Sequence, residues 1–421
     1  MANGSVKVFL SHATGNTNVR AIVAALEKEG LLDCFMTTIA VNPLSWWLNI
    51  IPARIRTELL RRKFTLGDGR IRIRWMRETG RLLFPKLGLQ HWVDQPGSWA
   101  NINSVYRDLD KTAARYLTRK AGDKGIHQAY GYEDGALNTF TAAKKHGISC
   151  IYELPIAYWE TLRHLLTQQA VLYPEWAVTL KGGISDSTEK LNIKTKELEL
   201  ADTIIVPSQF VKDSLPEFSL NKKIVVVPFG TPTAATYTPV AARTSAPDSS
   251  KPLKILFVGS MSQRKGLADL FKAFGLLKSQ PVELVVLGSL QAPMDFYRAQ
   301  YSDFRYEVMR PNEKVLELMR SCDIFCLPSI VEGRALVMQE AMSQGLPLII
   351  TPNTGGADLI RGNETGFLVP INSPEVIAEK ITWFLRNWEQ ISQMGKKARE
   401  HACSYTWENY SNTIINILKA T

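Results

Sequence analysis

The sequence predicts an α/β protein built from two doubly wound, Rossmann-like domains, and three observations lead there. The chain has 421 residues, more than one hydrophobic core usually serves, and 45% of them are hydrophobic. An apolar run, Ser5 to Leu10, passes through a glycine-bearing loop into a helical stretch, Val19 to Lys28. That is how a doubly wound domain opens. The pattern restarts with Leu253 to Val258, the loop Gly259 to Gly266 and a helix from Leu267 to Leu277. Between the halves, residues 231–252 are rich in Thr, Ala, Pro and Ser without apolar periodicity, and read as a linker.

In the first loop, Gly15 lets backbone approach a phosphate or sugar, or simply makes a tight turn. His12 beside it is cleft lining or incidental. Residues 42–104 read as an insertion. From Arg54 to Lys86 there are eleven Arg or Lys against Glu58, Asp68 and Glu78, so this segment carries +8 of the chain's net +10. It opens on Trp46 and Trp47 among further apolar residues. Basic and aromatic composition together suit an anionic membrane surface, touched through Trp46, Trp47, Arg54, Arg56, Arg61, Arg62, Arg72 and Arg74. The alternative is a solvated helix pair packed on its own domain. No nucleic-acid-binding module accompanies the charge, so no nucleic acid is expected as a partner.

Helices are expected at Val105 to Arg119, Ala136 to Lys145 and Lys190 to Leu200, with strands at Gly125 to Tyr130, Ile148 to Tyr152 and within 201–230. The carboxyl ends of parallel strands face the ligand crevice. Tyr132, Glu133, Asp134 and Glu153 therefore stand as acceptor contacts or as plain loop residues. In the second half, Ser260, Arg264 and Lys265 lie in a Gly-bounded loop that leads into a helix. Amides, helix dipole and cations converge there as a phosphate cradle, unless the loop is merely exposed.

Residues 323–347 carry the strongest pattern: a buried strand, a loop holding Glu332, and a helix with first turn Arg334, Ala335, Leu336 and Val337, stopped by Gly345 and Pro347. Unpaired first-turn amides make an anion site. Glu340, on the helix one turn from Leu336 and Val337, needs hydrogen-bond donors, and sugar hydroxyls supply them. The bland alternative makes Glu332 an N-terminal acid and Glu340 a half-exposed residue.

Five cysteines, an odd number without framework spacing, fit a reducing compartment. Cys322 and Cys326 read as packing. No acidic metal cluster and no signal peptide are evident, and no apolar run approaches the ~20 residues that span a bilayer.

The Glu332-to-Glu340 spacing, with CDIFCLPS before it and EAMSQGLPLIITPNTGGADLI after, resembles the donor-site signature of retaining glycosyltransferases of the family-four type (glycosyl transferases group 1). The match is specific over 253–380, moderate over 190–230 and thin over 1–150. It implies the GT-B fold, two domains facing across a cleft. Residues 1–230 would bind the acceptor, 231–252 link, 253–400 bind the nucleotide sugar, and 401–421 cross back as a helix. It implies that Glu332 faces the donor sugar, Glu340 holds the ribose, Lys265 grips the diphosphate and backbone near Val308 contacts the base. Three features depart from the pattern. Gly333-Arg334-Ala335 replaces Gly-Phe-Gly and puts a cation near sugar or phosphate. Ser260 follows Gly259 where Arg is usual, and Arg264 stands in for it. The histidine that often comes after the strand at 148–152 is absent from Tyr152-Glu153-Leu154-Pro155.

The resemblance therefore implies a retaining, metal-independent hexosyltransferase with no required cofactor. Its donor would be a UDP- or GDP-sugar and its acceptor a lipid-linked or other glycan. The basic, tryptophan-bearing insertion in the acceptor half adds the expectation that it is cytoplasmic, peripheral at the inner face of the cell membrane. The alternatives are a non-catalytic membrane-associated scaffold, a nucleotide-sugar epimerase, or a phosphorylase, for whose pyridoxal lysine the sequence makes no case.

Overall fold

The computed structural model describes residues 6–67, 69–120, 125–180, 182, 184–232 and 245–421. Two wholly parallel sheets organise it. The first contains β1 (Val8–Ser11), β2 (Leu32–Thr37), β3 (Ile71–Ile73), β4 (Gln128–Tyr132), β5 (Ser149–Glu153), β6 (Thr203–Val206) and β7 (Lys223–Val226), in the order β3-β2-β1-β4-β5-β6-β7. The second contains β8 (Leu253–Val258), β9 (Val282–Leu287), β10 (Arg305–Glu307), β11 (Ile324–Leu327), β12 (Leu348–Ile350) and β13 (Gly366–Leu368), in the order β10-β9-β8-β11-β12-β13. The two doubly wound domains expected from the sequence are present. The central strands are near-continuous apolar runs because helices cover both faces of each sheet.

In both sheets the winding direction reverses at the centre, between β1 and β4 and between β8 and β11. Loops at the carboxyl ends of strands flanking such a reversal splay apart and form a crevice. The loop after β8 and the loop after β11 are the two that the sequence marked out.

The closing helix, Trp407–Lys419, leaves the second domain and packs on the first, against the helix Thr17–Lys28. Its buried face carries Tyr410, Ile414, Ile415 and Leu418. Gln128 Nε2 donates to Leu418 O at 2.8 Å, and Lys419 pairs with Glu29 at 2.8 Å. A second crossing runs the other way and has no counterpart in the sequence reading. The helix Trp159–Leu172 and the 3-10 turn Pro174–Thr179 belong to the first half of the chain, yet Tyr173 and Trp176 lie in the core of the second domain.

The segment 42–104 is not simply an excursion from the sheet. Residues 71–73 form edge strand β3, with Phe35 opposite Ile71 and Thr37 opposite Ile73. Short helices, Ala53–Leu60 and Met76–Leu83, flank it. Three of the arginines expected to face a membrane are engaged internally. Arg62 pairs with buried Glu78 at 2.8 Å, Arg74 with Asp108 at 2.8 Å, and Arg72 lies over the Tyr116 ring at 4.9 Å. Arg56 and Arg61 are exposed, the latter's carbonyl accepting from Arg20. The side chains of Trp47 and Arg54, and linker residues 233–244, lie outside the described residues. Trp46 is 74% exposed and Ile50 73%, with Leu44, Ile55, Trp75 and Leu87 exposed nearby in sequence.

Candidate functional site

The loop after β8 turns sharply. Gln263–Lys265 make one 3-10 turn, and Gly266 at φ +71° starts the helix Leu267–Leu276. A Cβ on Gly266 would lie 1.9 Å from Pro328 O, so only glycine lets this loop meet the loop after β11. The two loops are tied by Ile330 N donating to Arg264 O at 2.9 Å.

That contact brings together three residues the sequence singled out. Lys265 Nζ lies 2.8 Å from Glu332 Oε1, and the Arg264 guanidinium pairs with the same oxygen. Arg264 Nη1 also donates to Val331 O at 3.3 Å. Lys265 and Glu332 are each 9% exposed. Burial holds the Lys265 pKa below the usual lysine range, against the opposing pull of Glu332. Two cations share one carboxylate, so the cluster keeps one positive charge available to an anion. Gly259 lies under the Lys265 stem, and Ser260 Oγ lies 3.3 Å from Ser262 Oγ.

The helix after Glu332 begins later than expected. It spans Leu336–Ser343 with Ala335 as its cap, and the Ala335 amide donates to Thr354 O at 3.2 Å. Arg334 and Ala335 are therefore not helical first-turn positions. The amides of Leu336 and Val337 have no hydrogen-bond partner among the described residues. Gly333 meets the first domain: a Cβ there would lie 1.7 Å from Pro155 O, and its carbonyl accepts from Ser208 Oγ at 2.7 Å.

Arg334 does not place a free cation beside these groups. Its buried guanidinium pairs with Asp358 at 2.8 Å, donates to Gln339 Oε1 at 3.0 Å and to Gly355 O at 3.1 Å, and stacks on Tyr405. Asp358 comes from the turn Ala357–Leu359, and the closing segment adds Tyr405, whose hydroxyl donates to Asp358 Oδ2 at 2.6 Å. Glu340 is half-buried, and Asn312 Nδ2 donates to it at 2.9 Å. Burial raises its pKa. Val308 is exposed on the loop that precedes Asn312.

On the first domain, Gly15 adopts φ +54°, and its amide, with that of Thr14, donates to His12 Nδ1 at 3.1 Å. That amide is committed within the loop and is not held out to a ligand. His12 is buried, edge-on to Tyr132 at 4.7 Å, and burial lowers its pKa to about 4. Glu153, expected at the cleft edge, is instead a buried node. It accepts from Asn18 at 2.9 Å and from the hydroxyls of Tyr130 and Tyr410, both at 2.7 Å. Glu133 pairs with Lys194 at 3.2 Å beside Asp134 and Asp186. Among the described residues no group of three or more His, Cys, Asp or Glu is placed to hold a metal ion.

Two parallel-sheet domains with charged loops at facing strand ends are the GT-B glycosyltransferase fold, which solved structures bear out over the whole chain. A sucrose-phosphate synthase from Thermosynechococcus elongatus superposes with a TM-score of 0.62 at 16% identity, covering 99% of this chain and 98% of that one. Anabaena HepE in complex with UDP gives 0.60 at 14%, covering 99% and 100%. Residues 242–401 match the family model for glycosyl transferases group 1. Among curated relatives, the putative colanic acid biosynthesis glycosyltransferase WcaL of Escherichia coli is 27% identical over 163 residues, 35% of this chain and 40% of that protein. The capsular polysaccharide biosynthesis glycosyltransferase CapM of Staphylococcus aureus is 28% identical over 177 residues, 39% of this chain and 46% of that protein. The matches span less than half the length of these relatives.

Proposed function

We propose that this protein is a retaining hexosyltransferase that moves a sugar from a nucleoside-diphosphate donor, UDP- or GDP-linked, to a lipid-linked or other glycan acceptor at the cytoplasmic face of a membrane. The observation that carries this reading is the convergence of Arg264, Lys265 and Glu332 beside the unpaired amides of Leu336 and Val337. As the glycosidic bond breaks, negative charge grows on the diphosphate. An arriving diphosphate draws the two cations away from Glu332, and they meet that charge together with the amides. Preorganised charge of this kind is usually the largest catalytic contribution. The cations supply the neutralisation that a metal supplies elsewhere, so the reaction requires neither metal nor cofactor.

Released from the cations, Glu332 orients the donor sugar and stabilises positive charge at its anomeric carbon. Glu340, with Asn312, holds the ribose, and backbone at Val308 meets the base. Gly259 and Ser260 line the diphosphate, and Gly333 keeps the sugar loop against Pro155. The acceptor enters from the first domain. A glycan acceptor is supported by relatives whose names place them in colanic acid and capsular polysaccharide biosynthesis, and a UDP-type donor by the HepE complex. The exposed apolar residues of 44–92 support a membrane location.

Thermal unfolding against UDP, GDP, ADP, TDP and CMP tests the reading. A nucleotide at 100 times its dissociation constant adds about 2.7 kcal/mol to the stability of the folded state. One nucleotide should raise the midpoint, and Lys265→Ala should abolish the rise. Transfer from the matching sugar should vanish in Glu332→Ala. No shift from any nucleotide, and no transfer to membrane extract, would leave a non-catalytic scaffold as the better account.

A further inference from the structure

The donor cluster stands on the second domain, yet much of its support comes from the first. Gln263 directly precedes Arg264 and is fully buried. Its Nε2 donates to Gln169 Oε1 at 2.9 Å and to Asp269 Oδ2 at 2.9 Å, and its Oε1 accepts from Ala268 N at 2.9 Å. Its backbone amide donates to Thr179 Oγ1 at 3.1 Å. Asp269 in turn accepts from the Tyr173 hydroxyl. Gln169, Tyr173 and Thr179 all belong to the crossing segment of the first half. That segment grips the other loop as well. Val331, directly before Glu332, is buried in one apolar cluster with Ala157, Leu166 and Leu180, and Gly333 abuts Pro155.

From this we infer that the segment 155–180 is a working part of the donor site, in which Gln169 and Tyr173 act through Gln263 as positioning residues for Arg264 and Lys265. The inference rests on the donor-site reading above and extends it. A 3-10 turn of three residues has little rigidity of its own. Two adjacent cations on such a turn repel each other and relax toward solvent unless their backbone is held. Gln263 holds it from inside with both ends of its amide, the oxygen tied to the following helix and the nitrogen bridging that helix and the crossing segment. Because the same segment packs behind Val331, it fixes the separation between the cations and the carboxylate. Placement matters steeply for charge stabilisation, since a small displacement forfeits much of a preorganised interaction. Gln169 and Tyr173 are therefore not catalytic residues, because neither reaches the reacting atoms. They set where the catalytic groups stand.

The test uses the full chain carrying Gln169→Met, which removes the acceptor at similar volume, and separately Tyr173→Phe, which removes only a hydroxyl. Hydrogen exchange of the 259–268 peptide in ligand-free protein should quicken about tenfold, the equivalent of one buried hydrogen bond. The β8 peptide, 253–258, should exchange as in wild type. Affinity for the nucleoside diphosphate should weaken about tenfold, with donor KM rising and acceptor KM unchanged. Exchange at 259–268 equal to wild type in both variants would overturn the inference. So would faster exchange with unchanged diphosphate affinity, which would make the contact purely structural. A wild type that binds no nucleoside diphosphate would defeat the donor-site reading, and the exchange result would still decide whether the segment positions the turn.

Discussion

At Glu332 Oε1 two cations compete for one carboxylate oxygen, and the competition makes the cluster responsive to a third party. A diphosphate offers several oxygens where Glu332 offers one. Arg334, two positions on, is spoken for by Asp358, Gln339 and Gly355. Arg334→Leu should lower stability by about 2 to 3 kcal/mol, because it strips partners from groups that cannot all rehydrate. It should leave discrimination between neutral and acidic donor sugars unchanged; a switch in donor preference would return the cation to the sugar site. His12 gives a pH dependence with a definite sign. Its folded pKa, about 4, lies below the ordinary 6.5, so the unfolded chain binds the extra proton between those values. Its share of stability is full above about pH 6.5 and is lost as pH falls toward 4, roughly 3 kcal/mol in all. Denaturant unfolding from pH 7 to 4.5 should therefore cost wild type more than His12→Asn, whose amide oxygen can accept the same two backbone protons. The loops that bring Lys265 to Glu332 were legible in the sequence because each belongs to a local strand-loop-helix motif. The engagement of Arg334 was not, because Gly355 and Asp358 lie 21 and 24 residues further on and Tyr405 arrives only with the closing segment.

Among the elements, the strand-loop-helix units could be read; of the two crossings between domains, the resemblance implied the closing helix, and nothing pointed to the segment 159–179. Periodicity reports which residues are apolar and does not report whose core they enter. Trp176 and Tyr173 therefore gave no sign that they pack in the second domain. Strand β3 escaped for another reason. Three residues with an arginine in the middle hold no strand signal, and only the register with β2 makes them one. Glycines were visible as punctuation, yet only geometry separates the obligate from the incidental. Gly266 has φ +71° and no space for a Cβ, and Gly333 would drive a Cβ into Pro155 O. A Cβ on Gly275, inside the helix Leu267–Leu276, would meet nothing within 4 Å among the described residues. Gly266→Ala and Gly333→Ala should each cost at least about 2 kcal/mol in denaturant unfolding, and Gly275→Ala should add about 0.5 to 1 kcal/mol. A neutral Gly333→Ala would mean that the contact between the halves is looser than Pro155 and Gly333 make it.

For the whole molecule, the question is how a net charge of +10 is spent. In the basic segment Arg62, Arg70, Arg74 and Arg81 are salt-bridged to acids on their own chain, and Arg72 and Arg77 lie over aromatic rings. The surface that remains toward solvent owes more to Leu44, Trp46, Ile50 and Trp75 than composition suggests. Each large apolar side chain that enters an interface contributes about 1.5 to 3 kcal/mol, and each basic residue held near an anionic surface about 1 kcal/mol. On those magnitudes, if this face meets the membrane proposed above, insertion would outweigh attraction, and charge would mainly raise the rate of arrival and favour anionic lipid. Flotation with vesicles of neutral lipid, and of neutral lipid with a quarter anionic lipid, should separate the two contributions. Wild type should float with both, more fully with the anionic mixture, and the excess should fade as salt is raised. Trp46→Ser with Ile50→Ser should sink from both, while Arg56→Glu should lose only the anionic excess. A double serine variant that floats like wild type would remove the membrane from this face and return the exposed tryptophan to a protein partner or to solvent.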